Sequence, residues 1–302
     1  MLASCRICPR RCQVDRLAGQ AGGCHVAGRG VYVAKAQLHH WEEPCISGRR
    51  GSGTVFFSFC NLRCVFCQNY RISQQGVGRL LTIDQLVQVF LRLQQVGAHN
   101  INLVSPTHFL PQVAIALQRA RRAGLTIPVV YNTNAYEEPD ALRRLEGLVD
   151  VYLPDLKYAS DGPHSPARRY SRAPGYFTAA TAAILEMFRQ VGAPVFDADG
   201  MIRRGLIIRH LVLPGQLDET KAVLRWIRDH LPTSVYVSLM AQYIPMNQAA
   251  RFPEINRGLR ADEYEEALDY FDSLGLENGY RQDLGAASES FVPAFDLNLA
   301  GL

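Results

Sequence analysis

From residue 54 onward the chain alternates between short apolar runs and longer stretches whose apolar positions recur every three or four residues. The runs TVFFSF (54–59), NINLVS (100–105), IPVVYN (127–132), DVYLPD (150–155), LIIRHLVL (206–213) and SVYVSLM (234–240) are rich in β-branched and aromatic residues. Their length and continuity predict strands buried on both faces. In TIDQLVQVFLRLQQVG, residues Ile83, Leu86, Val87, Phe90, Leu91 and Leu93 fall largely along one stripe, which predicts a helix capped by Thr82 and stopped at Gly97. PQVAIALQRARRAG, EPDALRRLEG, FTAATAAILEMFRQVG, LDETKAVLRWIRDHL and ADEYEEALDYFDSLG repeat the amphipathic pattern.

Six strand-then-helix units in a row predict an α/β fold with parallel strands and outer helices, wound by right-handed crossovers into a partial (βα)6 TIM-type barrel. A doubly wound open sheet is the alternative, but no G-x-G-x-x-G follows the first strand. Residues 1–50, rich in Cys and Gly, read as a small N-terminal module; 51–245 form the core, and 246–302 a C-terminal helix with an irregular tail. The stretch YASDGPHSPARRYSRAPGY (158–176) interrupts the fourth unit and is expected to be a lid over the barrel mouth.

Hydrophobic residues make up 48% of the 302 positions and charged ones 20%, as in ordinary globular proteins. No run of apolar residues is long enough for a membrane span, and the N-terminus lacks an apolar signal core, so a cytoplasmic protein is expected. In that compartment thiols stay reduced, and eight cysteines favour metal or redox chemistry over disulfides. Of the +4 net charge, residues 1–50 carry eight Lys/Arg against three Asp/Glu, and the remainder 24 against 25. A solvated basic face is the simplest account. No basic run is long enough to argue for nucleic acid.

Three cysteines, Cys60, Cys64 and Cys67, crowd the loop after the first core strand, on the side where parallel barrels place their chemistry. A CxxC redox pair would leave Cys60 idle. Zinc would require a fourth ligand. A [4Fe–4S] cluster accepts three cysteines and leaves one iron open to a ligand.

The spacing C-x3-C-x2-C with Phe66 before the last cysteine resembles the signature of the radical S-adenosylmethionine (SAM) superfamily. The stretches EEPCISGRRGSGTVFFSFCNLRCVFCQN, SPTHF, YNTNAYE, YLPDLKY and IRHLVLPG look like the PflX-like branch related to pyruvate formate-lyase activating enzymes. That resemblance implies SAM chelated to the open iron, a flavodoxin or ferredoxin as electron donor, and reductive cleavage to a 5′-deoxyadenosyl radical that abstracts hydrogen. The chain departs from the family at Phe59, where activases usually carry Gly, and at Ser105-Pro106-Thr107-His108, where many relatives carry Gly-Gly-Glu.

Each later strand ends in polar residues that its apolar body does not require: Ser105, Thr107 and His108; Asn132, Thr133 and Asn134; Asp155 and Lys157; Arg209 and His210; Gln242 and Tyr243. On a barrel these would converge on one mouth. By analogy with activases, Lys157 would neutralise the SAM carboxylate, Asn132 and Thr133 would lie near the ribose, and Asp155 would match a monovalent-cation site. Ser105, Thr107 and His108 would receive the SAM amino group, with Pro106 biasing Ser105 towards an extended shape. Asp155 and Lys157 share a strand face and could equally be a simple salt bridge. Of Arg209 and His210 only one can face inward, and Arg209 is expected to. His39 and His40 read as surface or packing residues.

CRICPRRC and the later Gly22-Gly23-Cys24 place Cys5, Cys8, Cys12 and Cys24 at C-x2-C-x3-C-x11-C. That spacing suits a closed zinc site or an auxiliary [4Fe–4S] cluster, and a metal-free loop is the alternative. Cys45 reads as a packing cysteine. The expectation is therefore a monomeric radical SAM enzyme that activates a glycyl-radical enzyme or modifies a peptide. The rivals are a radical SAM enzyme acting on a small molecule and a non-catalytic metal-binding module that contacts nucleic acid. No catalytic acid or base is singled out.

Overall fold

In the computed structural model, residues 1–287, 295–297 and 299 are described. The strands are β1 (Val31–His39), β2 (Ser52–Phe57), β3 (Arg79–Leu81), β4 (Ile101–Val104), β5 (Val129–Thr133), β6 (Val151–Pro154), β7 (Val195–Phe196), β8 (Ile202–Leu211), β9 (Tyr236–Met240) and β10 (Gly279–Arg281). Every core strand read from the hydrophobic pattern is present. They run β2-β4-β5-β6-β8-β9 as neighbours, all parallel, with β10 added in parallel to β9. The far side of β2 carries β1 antiparallel, then β3 antiparallel to β1. Among the described residues the two ends of this sheet do not pair, so the barrel is partial.

β1 lies inside the segment that the sequence assigns to a separate leading module, and β10 inside the tail read as irregular. β1 escaped notice because Lys35 interrupts its apolar face and only the four-residue helix Pro44–Ser47 follows it, and β10 because it is three residues long. Cys5, Ile7, Cys24 and Val26 share the main hydrophobic core with Leu62 and Phe109, so the first residues are packed onto the barrel. Helix Ile83–Gln95 starts as its sequence predicts: Thr82 Oγ1 accepts from Gln85 N at 3.2 Å, and Gln85 Oε1 accepts from Thr82 N at 2.9 Å. Its buried stripe, Leu86, Val87, Val89, Phe90 and Leu93, faces the sheet. No helix among the described residues is long and apolar enough to cross a membrane.

The stretch 158–176 is not a lid. It contains helix Pro166–Ser171, whose end braces the cysteine loop: Arg63 N donates to Ser171 O at 3.0 Å and Val65 N to Tyr170 O at 2.8 Å. Tyr158, Tyr170 and Tyr176 are fully buried, which ties this stretch down. Tyr176 alone bridges the ends of β5 and β6 through contacts to Asn134 O (2.9 Å) and Asp155 O (2.8 Å).

Between β4 and β5 lies a buried polar plug. Thr107 Oγ1 and Thr133 Oγ1 both donate to Glu137 Oε1 (2.8 and 2.5 Å), and Tyr131 donates to Oε2 at 3.3 Å. Burial pushes the Glu137 carboxyl up to about 7, against the pull of the three hydroxyl donors. A carboxyl raised above its unfolded value stabilises the fold fully below that value and loses this contribution as pH rises through the folded one. Between pH 5.5 and 8 the loss is about 2 kcal/mol. Thermal unfolding of wild type and Glu137→Gln across that range should therefore show the variant gaining on wild type as pH rises. Parallel curves would mean that Glu137 does not titrate in this window.

Candidate active site

At the C-terminal ends of the parallel strands lies a cavity open to solvent. Cys60, Cys64 and Cys67 line it, as do Ser105, Asn132, Asn134, Asp155, Lys157, Arg209 and Gln242. Together they come from the ends of six parallel strands, β2, β4, β5, β6, β8 and β9, or the loops after them, as parallel barrels arrange their functional groups. Thr107, Thr133 and His108 do not line it, contrary to their expected place beside the cofactor. Both threonines are spent on Glu137, and the His108 ring, fully buried, donates from Nε2 to Ser58 O at 2.8 Å. Burial pushes His108 down to about 3, so it stays neutral.

The turns that aim these groups are left-handed. Phe59 (φ 67°), Ser105 (φ 56°) and Ala135 (φ 60°) follow β2, β4 and β5. Each non-glycine residue in that region costs about 1–2 kcal/mol. Ser105 is thus not extended as its proline neighbour suggests; its N–H donates to Asn132 O at 2.8 Å, which holds the turn. Phe59 is held by Phe59 N donating to Ile72 O at 2.8 Å and by its ring lying edge-on to Tyr32 at 5.2 Å. The ring also covers Gly76, where a Cβ would come within 2.5 Å of it.

Every sulfur of the loop has a polar neighbour. Cys60 Sγ accepts from Leu62 N and Asn134 Nδ2, both at 3.3 Å; Cys64 Sγ meets Ser171 Oγ at 3.0 Å and Cys67 Sγ meets Ser73 Oγ at 3.2 Å. Burial pushes the thiols up, Cys60 to about 11 and Cys67 to about 12, with Cys64 raised for the same reason. A metal that binds here must therefore displace protons. Among the described residues no three Cys, His, Asp or Glu side chains are placed to hold a single metal ion. As a donor set, three thiols in the cavity wall fall one ligand short of a closed zinc site and suit a cubane that leaves one iron open.

Two ion pairs occupy the rest of the wall. Lys157 Nζ lies 2.7 Å from Asp155 Oδ2; burial works against the ammonium, yet Asp155 and the neighbouring thiols outweigh it and hold its pKa above the usual lysine value. Arg209 faces inward as expected and is gripped by Glu43 (Nε to Oε1, 2.8 Å) and by Glu42 (Nη2 to Oε2, 2.5 Å). Burial would raise the Glu43 carboxyl, but Arg209 overrides it and holds the group below its ordinary value. His210, on the other strand face, contacts Leu156 O at 2.6 Å and Thr220 Oγ1 at 3.0 Å. Glu42, Glu43 and Trp41 line the cavity and were not singled out in the sequence, and His39 and His40, read there as surface or packing residues, line it as well. The dense polar-aromatic run HHWEEP at the end of β1 was the signal. The other four expected ligands, Cys5, Cys8, Cys12 and Cys24, line a second, smaller cavity together with Arg16 and His108. Cys45 is buried against the barrel, as a packing cysteine should be.

Comparison with known proteins agrees with this geometry. The family model described as the radical SAM superfamily matches residues 54–227. The uncharacterised protein MJ0674 of Methanocaldococcus jannaschii is 31% identical over 283 residues, covering 91% of this chain and 76% of its own. Among solved structures, Streptococcus suis SuiB bound to precursor peptide SuiA has a TM-score of 0.51 at 10% identity, covering 76% of this chain and 48% of that one. SuiB bound to S-adenosylmethionine has a TM-score of 0.48 at 11% identity, covering 77% and 52%. The chain thus spans about half the length of these solved chains. On the match over more than half of its residues, and with a parallel partial barrel carrying three cysteines after its first parallel strand, this chain belongs to the radical SAM superfamily.

Proposed function

We propose that Cys60, Cys64 and Cys67 hold a [4Fe–4S] cluster whose fourth iron is left to SAM, and that the enzyme abstracts hydrogen from a polypeptide. Superfamily membership implies both cofactors. The observation that carries the assignment is the placement of three hydrogen-bonded thiols in the wall of the strand-end cavity. When bound, the reduced cluster supplies the electron that cleaves SAM to methionine and a 5′-deoxyadenosyl radical. The chain's own groups tune and orient. N–H and O–H contacts to the sulfurs withdraw charge from them and raise the potential of the site. Lys157, kept protonated by Asp155, would neutralise the carboxylate of SAM, while Asn132 and Ser105 offer polar groups on the neighbouring strand ends. Arg209, locked between two carboxylates, keeps the inner wall rigid.

The openness of the strand-end cavity supports a polypeptide substrate. The loop that would have closed over a small molecule instead braces the cysteines, and the rim presents Trp41 at 64% exposure. SuiB, whose structure was solved with a precursor peptide, shares the fold. By its sequence resemblance to activases, the substrate segment would include a glycyl-radical loop.

Anaerobic protein given a reductant and SAM should release 5′-deoxyadenosine, and the Cys60/Cys64/Cys67 triple Ala variant should release none. Equal release from both proteins would remove the cluster from this loop. Lys157→Met should weaken SAM binding by the worth of a charge-assisted contact, about 1.5–3 kcal/mol, in calorimetric titration of the cluster-loaded protein. Wild-type affinity in that variant would show that the ammonium does not meet the cofactor.

A further inference from the structure

The leading cysteines are assembled in a way that the SAM site does not require. Cys5, Cys8 and Cys24 are buried and Cys12 is half-buried, and all four thiols line one small cavity. Arg16 lines the same cavity at 0% exposure. Its Nη1 donates to His108 O at 2.6 Å, but its Nε and Nη2 have no hydrogen-bond partner, and no carboxylate among the described residues pairs with it. His108 Nδ1, in the same wall, is also without a partner. A buried guanidinium with two idle donors calls for an anion. Among the described residues that line this cavity, the anions that side chains can supply are thiolates. Burial pushes Cys8 up to about 12 and raises Cys24, and the Arg16 charge pulls Cys24 the other way.

The backbone is shaped around the same sulfurs. Gly23 N donates to Cys12 Sγ at 3.2 Å, and a Cβ on Gly22 would come within 2.9 Å of that sulfur. The loop is closed by Cys5 N to Val14 O (3.0 Å) and Gln13 N to Cys5 O (2.9 Å).

We propose that Cys5, Cys8, Cys12 and Cys24 ligate a second metal centre, an iron–sulfur cluster closed by four thiolates, with Arg16 as its buried counter-charge. Four thiolates on a [4Fe–4S] core of charge 2+ leave a net 2−, which the guanidinium partly offsets. The four cysteines line one common void; a cluster and a single zinc would both use all four, and the iron and sulfide content of the protein tells them apart. The two sites adjoin through Asn61: the Cys8 thiol meets the Asn61 side chain, whose Oδ1 lies 3.8 Å from Cys60 Sγ. Arg10 Nε donates to Asn61 O at 2.5 Å and ties the leading loop to the cysteine loop.

The test uses full-length protein purified and handled without oxygen. The Cys60/Cys64/Cys67 triple Ala variant should keep about four iron and four sulfide per chain, with an EPR signal indifferent to SAM. Cys5/Cys8 double Ala should lose that signal and keep the SAM-responsive one. A triple variant without iron, or with one zinc per chain in its place, overturns the assignment. Should the double variant fail to fold, Arg16 provides an independent reading. In the triple-Ala background, Arg16→Met should shift the remaining cluster's reduction potential to more negative values, and Arg16→Lys should restore it. An unchanged potential in Arg16→Met overturns the counter-charge role.

Discussion

The loop from Phe59 to Cys67 makes almost no secondary structure of its own, so its backbone polar groups must be satisfied by other parts of the chain. This one requirement organises the molecule. Phe59 N is held by Ile72 O, Arg63 N by Ser171 O, and Val65 N by Tyr170 O. Val65 O accepts from Gln248 N at 2.7 Å, Cys64 O from Gln74 Nε2 at 2.8 Å, and Asn61 O from Arg10. The partners come from the leading segment, the helix after the loop, the 158–176 insertion and the stretch after β9. A segment that reads as an insertion or an appendage is therefore a support for the three sulfurs.

The same economy governs the charges. Arg209 is clamped by two glutamates and Lys157 by Asp155, so the cavity holds its polar groups in set positions before any ligand arrives. Such preorganisation is what allows a site to stabilise charge without rearranging. Phe59 shows how a left-handed turn at a non-glycine residue is absorbed. The ring takes up packing against Tyr32 and Gly76, which offsets a left-handed backbone that glycine would adopt freely.

Much of this was legible in one dimension because it depends on local periodicity and spacing. Apolar runs of strand length separated by amphipathic stripes specify parallel strands and outer helices. Three cysteines within eight residues after a buried strand mark a thiol-rich loop at the strand ends, and alternation along the strand means that only one of Arg209 and His210 can face inward. What the sequence could not decide was where isolated polar residues spend their hydrogen bonds. Thr107 and Thr133 have the right chemistry for a cofactor, but Glu137, close in space, captures both hydroxyls. Glu42 and Glu43 lie outside the strand-and-helix repeat, and only the antiparallel return of β1 delivers them to Arg209, more than 160 positions away. The insertion at 158–176 has a loop's composition, yet its buried tyrosines turn it into a brace. Periodicity is a property of neighbours in the chain and survives in the sequence; the partner of a buried polar group is a property of neighbours in space, and only the folded barrel decides it.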